Sequence, residues 1–517
     1  MVSATTTISS PKMKSAKALN VTEQYQISEK LINEGFKVWK KASPMLYDLI
    51  YTYSCDWPSL TVQWLEDLTA SAQNNLITAK FLLGTHTTDA HQNYLKLYGV
   101  DLPLTLVSDE NFGSHPISQI DPVDTETSQR RLHLLRKWRH PGEINKVRFD
   151  EELGLIATQT NSGDILIYDY NDIASDTSVR TLKYHLKEGF GLEWSPTSQG
   201  RLLSGNEDSK IALWDLSSLR GQQSKTVMKP SRTLATHTGI INDISWNCAS
   251  SDIFASISDD GSLQIHDLRA ADSDVAIRVD KAHEGKAINA VEFHPTLSSF
   301  LSTGAVDGSI SCWDLRDASA PVKKLYGHTG PVLNLKFKDN LMLSTSVDRR
   351  VLLWDLNRIS GQDSREHDRK DENADASLIF VHGGHTGRLC EADWHPKLDN
   401  VVISCAEDSL VEIWRPLHIE DEFDYEEQEA EERKGEEEEE QKNKQHEEAG
   451  VSKNELNKHV NEENVTVKAE SVTEKSDDTA INKPSDTAAI IGSSNDVQPD
   501  TANTIDHKHP SRDVNMD

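Results

Sequence analysis

The sequence is poor in cysteine and in long apolar runs. Its five cysteines are odd in number and widely spaced, with no CxxC pair: Cys55, Cys248, Cys312, Cys390 and Cys405. This pattern argues against a disulfide framework or a cysteine zinc site and favours free thiols in an intracellular compartment. No run approaches the ~18–20 consecutive apolar residues of a membrane span. Residues 1–20 also lack the apolar stretch of a secretory signal.

Basic residues are scarce as well. Lys and Arg number 54 against 84 Asp and Glu, which gives a formal net charge of −30. This balance argues against direct binding to nucleic acid and favours a basic partner. More than half of the excess lies beyond Glu420, where the run Glu436–Glu440 is typical of a solvated acidic segment. We therefore expect disorder at residues 1–20 and in an acidic tail, 419–517.

A short β-rich segment that ends in an aromatic or histidine residue recurs along the chain. Its copies end at Tyr168-Asp169, Trp214-Asp215, His266-Asp267, Trp313-Asp314, Trp354-Asp355 and Trp414-Arg415. A histidine precedes each copy: His140, His185, His237, His283, His328 and His385. An aspartate precedes each of the last five endings: Asp208, Asp260, Asp307, Asp348 and Asp408. Such a register is typical of WD-repeat blades with four strands each.

The recurring histidine and aspartate could be mistaken for a catalytic or metal site. Because the pair recurs once per blade, we interpret it as a structural hydrogen-bond network covered by the tryptophan. The fold class is therefore all-β, a seven-bladed WD-repeat β-propeller over residues 54–418. For the seventh blade, we expect the strands Leu60–Leu65, Ile77–Thr85 and Tyr94–Tyr98 to join the strand at Val411–Trp414 and so remove exposed sheet edges.

A helical segment, residues 21–53, precedes the propeller. We expect one helix at about Thr22–Lys41 and a second short helix at Pro44–Tyr53. The first carries two neighbouring apolar stripes: Ile27, Leu31 and Val38, and beside them Ile32, Phe36 and Trp39. Docking on a propeller needs one stripe. The second either deepens the burial or forms a wall of a groove for a partner helix.

Two further features concern binding surfaces. A polar loop, Asn357–Ser377, precedes the last blade and is rich in charge. In addition, the first residues of the innermost strands should ring one mouth of the central channel, because they point the same way at a period of two. This ring contains Glu143, Asn145, Glu188, Phe190, Asn242, Asn289, Leu333 and Arg388. It is polar and partly acidic, which suits a peptide that carries Arg or Lys.

Several segments resemble the retinoblastoma-binding WD-repeat histone chaperones. The most specific are Trp57-Pro-Ser-Leu-Thr-Val-Gln-Trp64, Gly142-Glu-Ile-Asn145, Lys187-Glu-Gly-Phe-Gly-Leu-Glu-Trp194 and His382-Gly-Gly-His-Thr386. That family includes the second subunit of the type B histone acetyltransferase and the small subunit of chromatin assembly factor. The motifs Gly84-Thr-His-Thr-Thr88 and Gly200-Arg-Leu-Leu-Ser-Gly205 are most similar to the fungal acetyltransferase branch.

The resemblance implies two binding sites. The first helix of histone H4 would lie in a groove formed by Phe36, Trp39, Leu46, Asp371, Glu372, Leu378 and Ile379. The histone H3 tail would lie at the channel mouth, on His86, Glu143, Asn145, Glu188, Phe190, Asn242, Asn289 and Arg388. A catalytic acetyltransferase subunit is implied as a further partner. The family also implies a nuclear and cytoplasmic location.

We therefore expect a non-catalytic, histone-binding subunit that presents new histone H4, and H3–H4, to an acetyltransferase. No P-loop, dinucleotide glycine fingerprint or HExxH motif occurs, so we expect no catalytic residue, cofactor or metal, and no contact with nucleic acid or membrane. One alternative is the small subunit of chromatin assembly factor or of a histone deacetylase complex. Another is a substrate adaptor of a cullin ubiquitin ligase, because Trp313-Asp-Leu-Arg316 matches the WDxR box of such adaptors.

Overall fold

The computed structural model describes residues 21–71, 76–87, 91–106, 131–217, 227–270, 275–359 and 375–417. The terminal segments 1–20 and 419–517, expected to be disordered, lie outside the described residues, as does most of the polar loop before the last blade. Within the described residues, 29 strands form seven sheets. No helix in this part of the chain is both long and apolar enough to cross a membrane.

The sheets follow one another along the chain as blades of a propeller, which confirms the predicted fold class. Blade 1 contains β2 (Val62–Ser71), β3 (Leu76–Gly84), β4 (Asn93–Pro103) and β5 (Leu132–His140). Blade 2 contains β6 (Ile144–Asp150), β7 (Leu155–Thr160), β8 (Ile165–Asp169) and β9 (Arg180–Leu182), with β13 (Val227–Met228) added in parallel at its outer edge. Blade 3 contains β10 (Gly189–Trp194), β11 (Arg201–Asn206), β12 (Ile211–Asp215) and β14 (Arg232–Leu234).

The next three blades are regular. Blade 4 contains β15 (Ile241–Trp246), β16 (Ile253–Ser258), β17 (Leu263–Asp267) and β18 (Val275–Val279). Blade 5 contains β19 (Ile288–Phe293), β20 (Phe300–Ala305), β21 (Ser309–Asp314) and β22 (Lys323–Tyr326). Blade 6 contains β23 (Val332–Lys338), β24 (Leu341–Ser346), β25 (Val351–Asp355) and β26 (Leu378–His382).

Blade 7 joins the two ends of the described ring. It contains β27 (Leu389–Trp394), β28 (Val402–Ala406) and β29 (Leu410–Pro416), and its outer strand is β1 (Tyr47–Ser54) from the N-terminal side. The first strands of neighbouring blades contact one another in a closed circle, β2–β6–β10–β15–β19–β23–β27–β2. The core lies between blades, where the side chains of one sheet pack on those of the next. Trp138, Trp214, Trp313, Trp354 and Trp414 are all fully buried there.

The prediction of how the ring closes named the wrong strands as partners in the closing blade. The strand at Val411–Trp414 pairs with β1, while β2, β3 and β4 form their own blade with β5. The sequence prediction missed β5 as a strand because four of its nine residues are His, Arg or Lys before the final histidine. Such residues are compatible with an outermost strand, since its outer edge faces solvent.

The second predicted helix, Pro44–Tyr53, is also wrong. A single helix, α1, spans Val21–Leu46, and the ring begins with β1 at Tyr47 rather than at residue 54. Tyr47, Leu49, Tyr51 and Tyr53 alternate along β1 and all four are buried. A strand is favoured because β29 offers a ladder for the backbone and aromatic residues fit its half-buried surface.

Candidate functional site

The repeated histidines form the structural network that the register predicts. His185 Nδ1 lies 3.1 Å from Asp208, and its Nε2 lies 2.8 Å from the Ser204 hydroxyl. Trp214 Nε1 donates to the same hydroxyl at 2.9 Å. The corresponding pairs His237–Asp260 and His328–Asp348 are 3.2 and 3.0 Å long. These groups are buried and bonded to one another, so the network holds each blade together.

Blades 2 and 5 vary this pattern. His283 Nδ1 lies 3.0 Å from the Ser309 hydroxyl, and His140 Nδ1 lies 2.8 Å from the Gly142 carbonyl oxygen. Burial lowers the pKa of His140 and of His283 to about 4. Both rings are therefore neutral at pH 7 and act as hydrogen-bonding groups of the fold.

The mouth of the channel lies where the innermost strands begin. His86 Nε2 is 3.4 Å from Glu143 Oε2, and Asn161 Nδ2 donates to the same carboxylate oxygen at 3.3 Å. Glu188 Oε2 accepts from Asn145 Nδ2 at 3.3 Å. Because Glu143 and Glu188 begin neighbouring blades, the structure brings both carboxylates and His86 to one side of the mouth.

The asparagines predicted at the mouth bond between blades. Asn145 Nδ2 donates to Gly189 O at 3.2 Å, Asn242 Nδ2 to Ile288 O at 2.8 Å and Asn289 Nδ2 to Val332 O at 3.0 Å. Each amide thus joins its own innermost strand to the innermost strand of the next blade. Asn145 is only 3% exposed. These side chains therefore join neighbouring blades at the mouth, and they also donate to mouth acids such as Glu188 and Asp259.

The sequence prediction missed a second set of acidic residues at the same mouth. The backbone N–H of Glu207 donates to Glu188 O at 2.9 Å, that of Asp259 to Ile240 O at 3.0 Å and that of Glu407 to Arg388 O at 2.9 Å. These three acids lie in turns beside the first strand residues. Each comes directly before the repeat aspartate, so the same register could have identified them.

Two predicted mouth residues are exposed. Phe190 presents 37% of its surface to solvent. The Arg388 side chain is also largely exposed, with its Nε 3.9 Å from Glu407 Oε2. The mouth thus combines several carboxylates, an exposed aromatic ring and one arginine.

The two apolar stripes of α1 have different environments. Ile32, Phe36 and Trp39 are half-buried, whereas Leu31 and Val38 are 69% and 67% exposed. Trp39 Nε1 donates to the Tyr47 hydroxyl at 2.8 Å, and its ring centroid lies 5.8 Å from that of His382. Trp39 therefore docks the helix on blades 6 and 7, and Phe36 packs beside it at 5.5 Å between ring centroids.

The outer strand of blade 6 runs beside this helix. Ile379 packs against the cluster of Tyr47 and Trp39. Leu378 instead packs against the cluster of Met342 and Trp354, because neighbouring residues of a strand point to opposite faces of the sheet. Leu46 ends α1 and is exposed. Asp371 and Glu372, the predicted acidic side of the groove, lie outside the described residues.

The arginines of the WDxR-like segments lie after the third strands of blades 4 and 5. Arg316 and Arg269 each fold back on the aspartate two residues before them, Asp314 and Asp267. Both guanidinium groups are exposed. They share no blade with the mouth acids Glu143 and Glu188 or with the groove beside α1.

Comparison with known proteins identifies the family. Residues 34–104 match the family model for the histone-binding protein RBBP4 and its counterpart in the CAF1 complex. Residues 228–267, 275–314 and 319–355 match the WD domain, G-beta repeat. The chain is 31% identical over 411 residues to histone acetyltransferase type B subunit 2 of Candida glabrata, covering 78% of this chain and 93% of that protein. The chain belongs to this WD-repeat histone-binding family.

The histone-binding match covers the helix side of the groove and one residue of the channel mouth. Residues 34–104 include the C-terminal half of α1 with Phe36, Trp39 and Leu46, and then β1 to β4 with the mouth residue His86. The histone-binding match thus lies on the helix and the strands that follow it, whereas the WD-domain matches lie on later blades.

Proposed function

We propose that this protein is a non-catalytic histone-binding subunit of a type B histone acetyltransferase complex. It presents newly made histone H4, alone or with H3, to a catalytic partner subunit. The observation that carries this proposal is the exposed apolar side chain of Val38, beside the half-buried Phe36 and Trp39, within the region that matches the histone-binding model. An unpaired apolar stripe beside a sheet edge suits the apolar face of an amphipathic helix.

The groove offers two kinds of contact to the first helix of H4. Leu31, Phe36 and Val38 supply apolar area on α1, and Ile379 on β26 lies across from Trp39. Asp371 and Glu372 precede β26 in the sequence and supply negative charge for a basic helix. Charge of this kind sets the association rate and the partner choice, while the apolar anchors supply most of the affinity.

The channel mouth suits a different ligand, an extended basic segment such as the H3 tail. Glu143 and Glu188 are joined there by Glu207, Asp259 and Glu407. Charge-assisted hydrogen bonds from Arg or Lys to such carboxylates are shorter and stronger than neutral ones. Two ligands of one histone pair could therefore bind at separate surfaces of the same ring.

Catalysis belongs to a partner in this proposal. The repeat histidines and aspartates hold the blades together, so the chain contributes histone binding while the acetyltransferase contributes the chemistry. The formal charge of −30 supports a basic protein ligand rather than nucleic acid. Handling of newly made histones also implies a location in both cytoplasm and nucleus.

The test is affinity purification with a matched pair of variants. Val38→Glu places a charge on the exposed stripe of α1, whereas Val322→Glu places one on the outer side of blade 5, at 59% exposure. We expect Val38→Glu to lose H4 and Val322→Glu to keep it. Mass spectrometry of the wild-type sample should identify an acetyltransferase. Full H4 recovery with Val38→Glu, or a large assembly-factor subunit in place of the acetyltransferase, would contradict the proposal.

A further inference from the structure

A chain of buried polar groups joins α1 to the closing blade. Trp39 Nε1 donates to the Tyr47 hydroxyl at 2.8 Å, and this hydroxyl lies 2.8 Å from His382 Nδ1. His382 Nε2 in turn lies 2.9 Å from Glu412 Oε2. Thr52 donates to the other oxygen, Glu412 Oε1, at 3.0 Å. The chain thus begins on the helix, passes through β1 and β26, and ends on a carboxylate in β29.

Donor and acceptor roles can be assigned to the groups of this chain. The indole N–H of Trp39 can only donate, so the Tyr47 oxygen accepts from it. The single O–H of Tyr47 is then left for His382 Nδ1. This bond places the hydrogen of the neutral histidine on Nε2. The Nε2 atom lies 2.9 Å from Glu412 Oε2, an ion-pair distance, but the two atoms are not aligned as a hydrogen bond.

Glu412 is what distinguishes blade 7 from its siblings. By register, Glu412 lies opposite Ser404 as Ala212 lies opposite Ser204 and Leu352 opposite Ser344. The equivalent residue of blade 4 is the neutral Gln264, opposite Ser256. Glu412 is fully buried. A buried carboxylate is costly unless it is paired. Here Thr52 donates to one oxygen, and His382 lies within ion-pair distance of the other.

The local backbone is fitted to this carboxylate. A Cβ atom at Gly384 would lie 1.9 Å from Glu412 Oε2, so only glycine leaves room for it. The distance between the repeat histidine and aspartate is also longer in blade 7: His385 Nδ1 is 3.6 Å from Asp408, whereas His185 Nδ1 is 3.1 Å from Asp208 in blade 3.

We propose that Glu412 is a positioning residue for the histone-helix groove. Through His382 and Tyr47 it holds Trp39 in one orientation and so fixes the angle at which α1 presents Leu31 and Val38. This inference rests on the proposed function, because it assigns Glu412 to the binding of the same helical ligand. Without the carboxylate, α1 should remain helical but sit less firmly on the ring.

The test combines three variants with two measurements. Glu412→Leu introduces the residue that blade 6 has at this position, Tyr47→Phe removes the central hydroxyl, and the third variant carries both changes. We expect each single change to weaken H4-helix binding about tenfold, since one polar contact of the chain is lost. The double variant should also lose about tenfold rather than about a hundredfold, because both changes break one chain. Amide hydrogen exchange of the ligand-free protein should accelerate in α1 in all three variants.

Controls separate this role from general stability. Gln264→Leu makes the matched change in blade 4 and should leave α1 exchange and H4-helix affinity unchanged, while Glu412→Gln should restore part of the loss. Binding of a basic peptide at the channel mouth should stay unchanged throughout. If the wild-type protein does not bind the H4 helix, the proposed function fails. Amide hydrogen exchange of α1 would still show whether Tyr47, His382 and Glu412 position the helix.

Three results would overturn the positioning role. The first is wild-type α1 exchange and affinity in folded Glu412→Leu. The second is a hundredfold, additive loss in the double variant. The third is one equivalent of zinc in the purified wild type that is absent from Glu412→Leu, because His382 Nε2, His385 Nδ1 and Glu412 Oε2 lie within 4.8 Å of one another. That result would mean that a bound metal ion, rather than polar contacts between the side chains, holds these three residues together.

Discussion

The channel mouth and the groove beside α1 are built in different ways. Several blades contribute to the mouth at the same register positions, and asparagine bonds such as that of Asn145 to Gly189 lock neighbouring blades around it. The groove takes one helix and one outer strand, from opposite ends of the chain, and no part of it repeats. A surface made from repeats is rigid and tolerant of single changes. A surface made from chain ends depends on a few docking contacts.

The largest effect should come from deletion of residues 1–46. This change removes α1 but leaves β1 to close the ring, so the propeller should fold. We expect H4-helix binding to fall at least a hundredfold, because one wall of the groove and its aromatic anchors are gone. Titration calorimetry measures this affinity. A basic-peptide titration at the mouth serves as the control, and loss of both ligands would show that the two surfaces are not independent.

The mouth should respond most to paired loss of charge. The double variant Glu143→Gln and Glu188→Gln removes two carboxylates that face a basic peptide. We expect at least a tenfold weaker affinity for an H3-tail peptide, since hydrogen bonds to charged groups contribute about 1.5–3 kcal/mol each. Fluorescence anisotropy at two salt concentrations measures the loss. Glu284→Gln, an exposed acid away from the mouth, is the matched control. An equal loss of H4-helix binding would show a single shared site.

A smaller effect should distinguish the two stripes of α1. Phe36 is half-buried beside Trp39, and Phe36→Ala should lower H4-helix affinity by about 2 kcal/mol, as truncation of an aromatic anchor does. Val38→Ala removes fewer atoms from the exposed stripe and should lower it by about 1 kcal/mol. Both variants should melt near the wild-type temperature. If Phe36→Ala lowers the free energy of unfolding more than it lowers the free energy of H4-helix binding, the Phe36 ring only docks α1 on the propeller.

The smallest effect concerns pH and the channel below the mouth. Glu193 lines a cavity of about 190 Å³ there with Lys336 and Asp393. Burial and the neighbouring Glu292 raise the pKa of Glu193 to about 8. An acid whose pKa is higher in the folded state holds its proton more tightly when folded, so its contribution to stability falls as pH rises toward 8. Thermal melts at pH 6 and pH 9 should therefore differ more for wild type than for Glu193→Gln. If wild type and Glu193→Gln show the same difference in melting temperature between pH 6 and pH 9, another group causes the pH dependence.

Repeated parts of this molecule were predictable and unrepeated parts were not. The register of His185, Asp208 and Trp214 predicted blade identity, the structural role of the histidines and the position of the mouth. It did not predict the strand character of Tyr47–Ser54, because its partner β29 lies more than 350 residues away along the chain. The roles of Trp39 and Leu378 also escaped prediction. Each depends on which neighbour the side chain meets, and a short apolar pattern does not specify that neighbour.

Pairing of β1 with β29 also affects synthesis of the protein. β1 is among the first segments to leave the ribosome, yet its partner ends at Pro416. At a synthesis rate of ~5–20 residues per second, β1 waits tens of seconds for that partner. During this time Tyr47, Tyr51 and Tyr53 have no β29 to pair with their strand. Since α1 docks on blades 6 and 7, a chain that stops before these blades cannot form the groove beside α1.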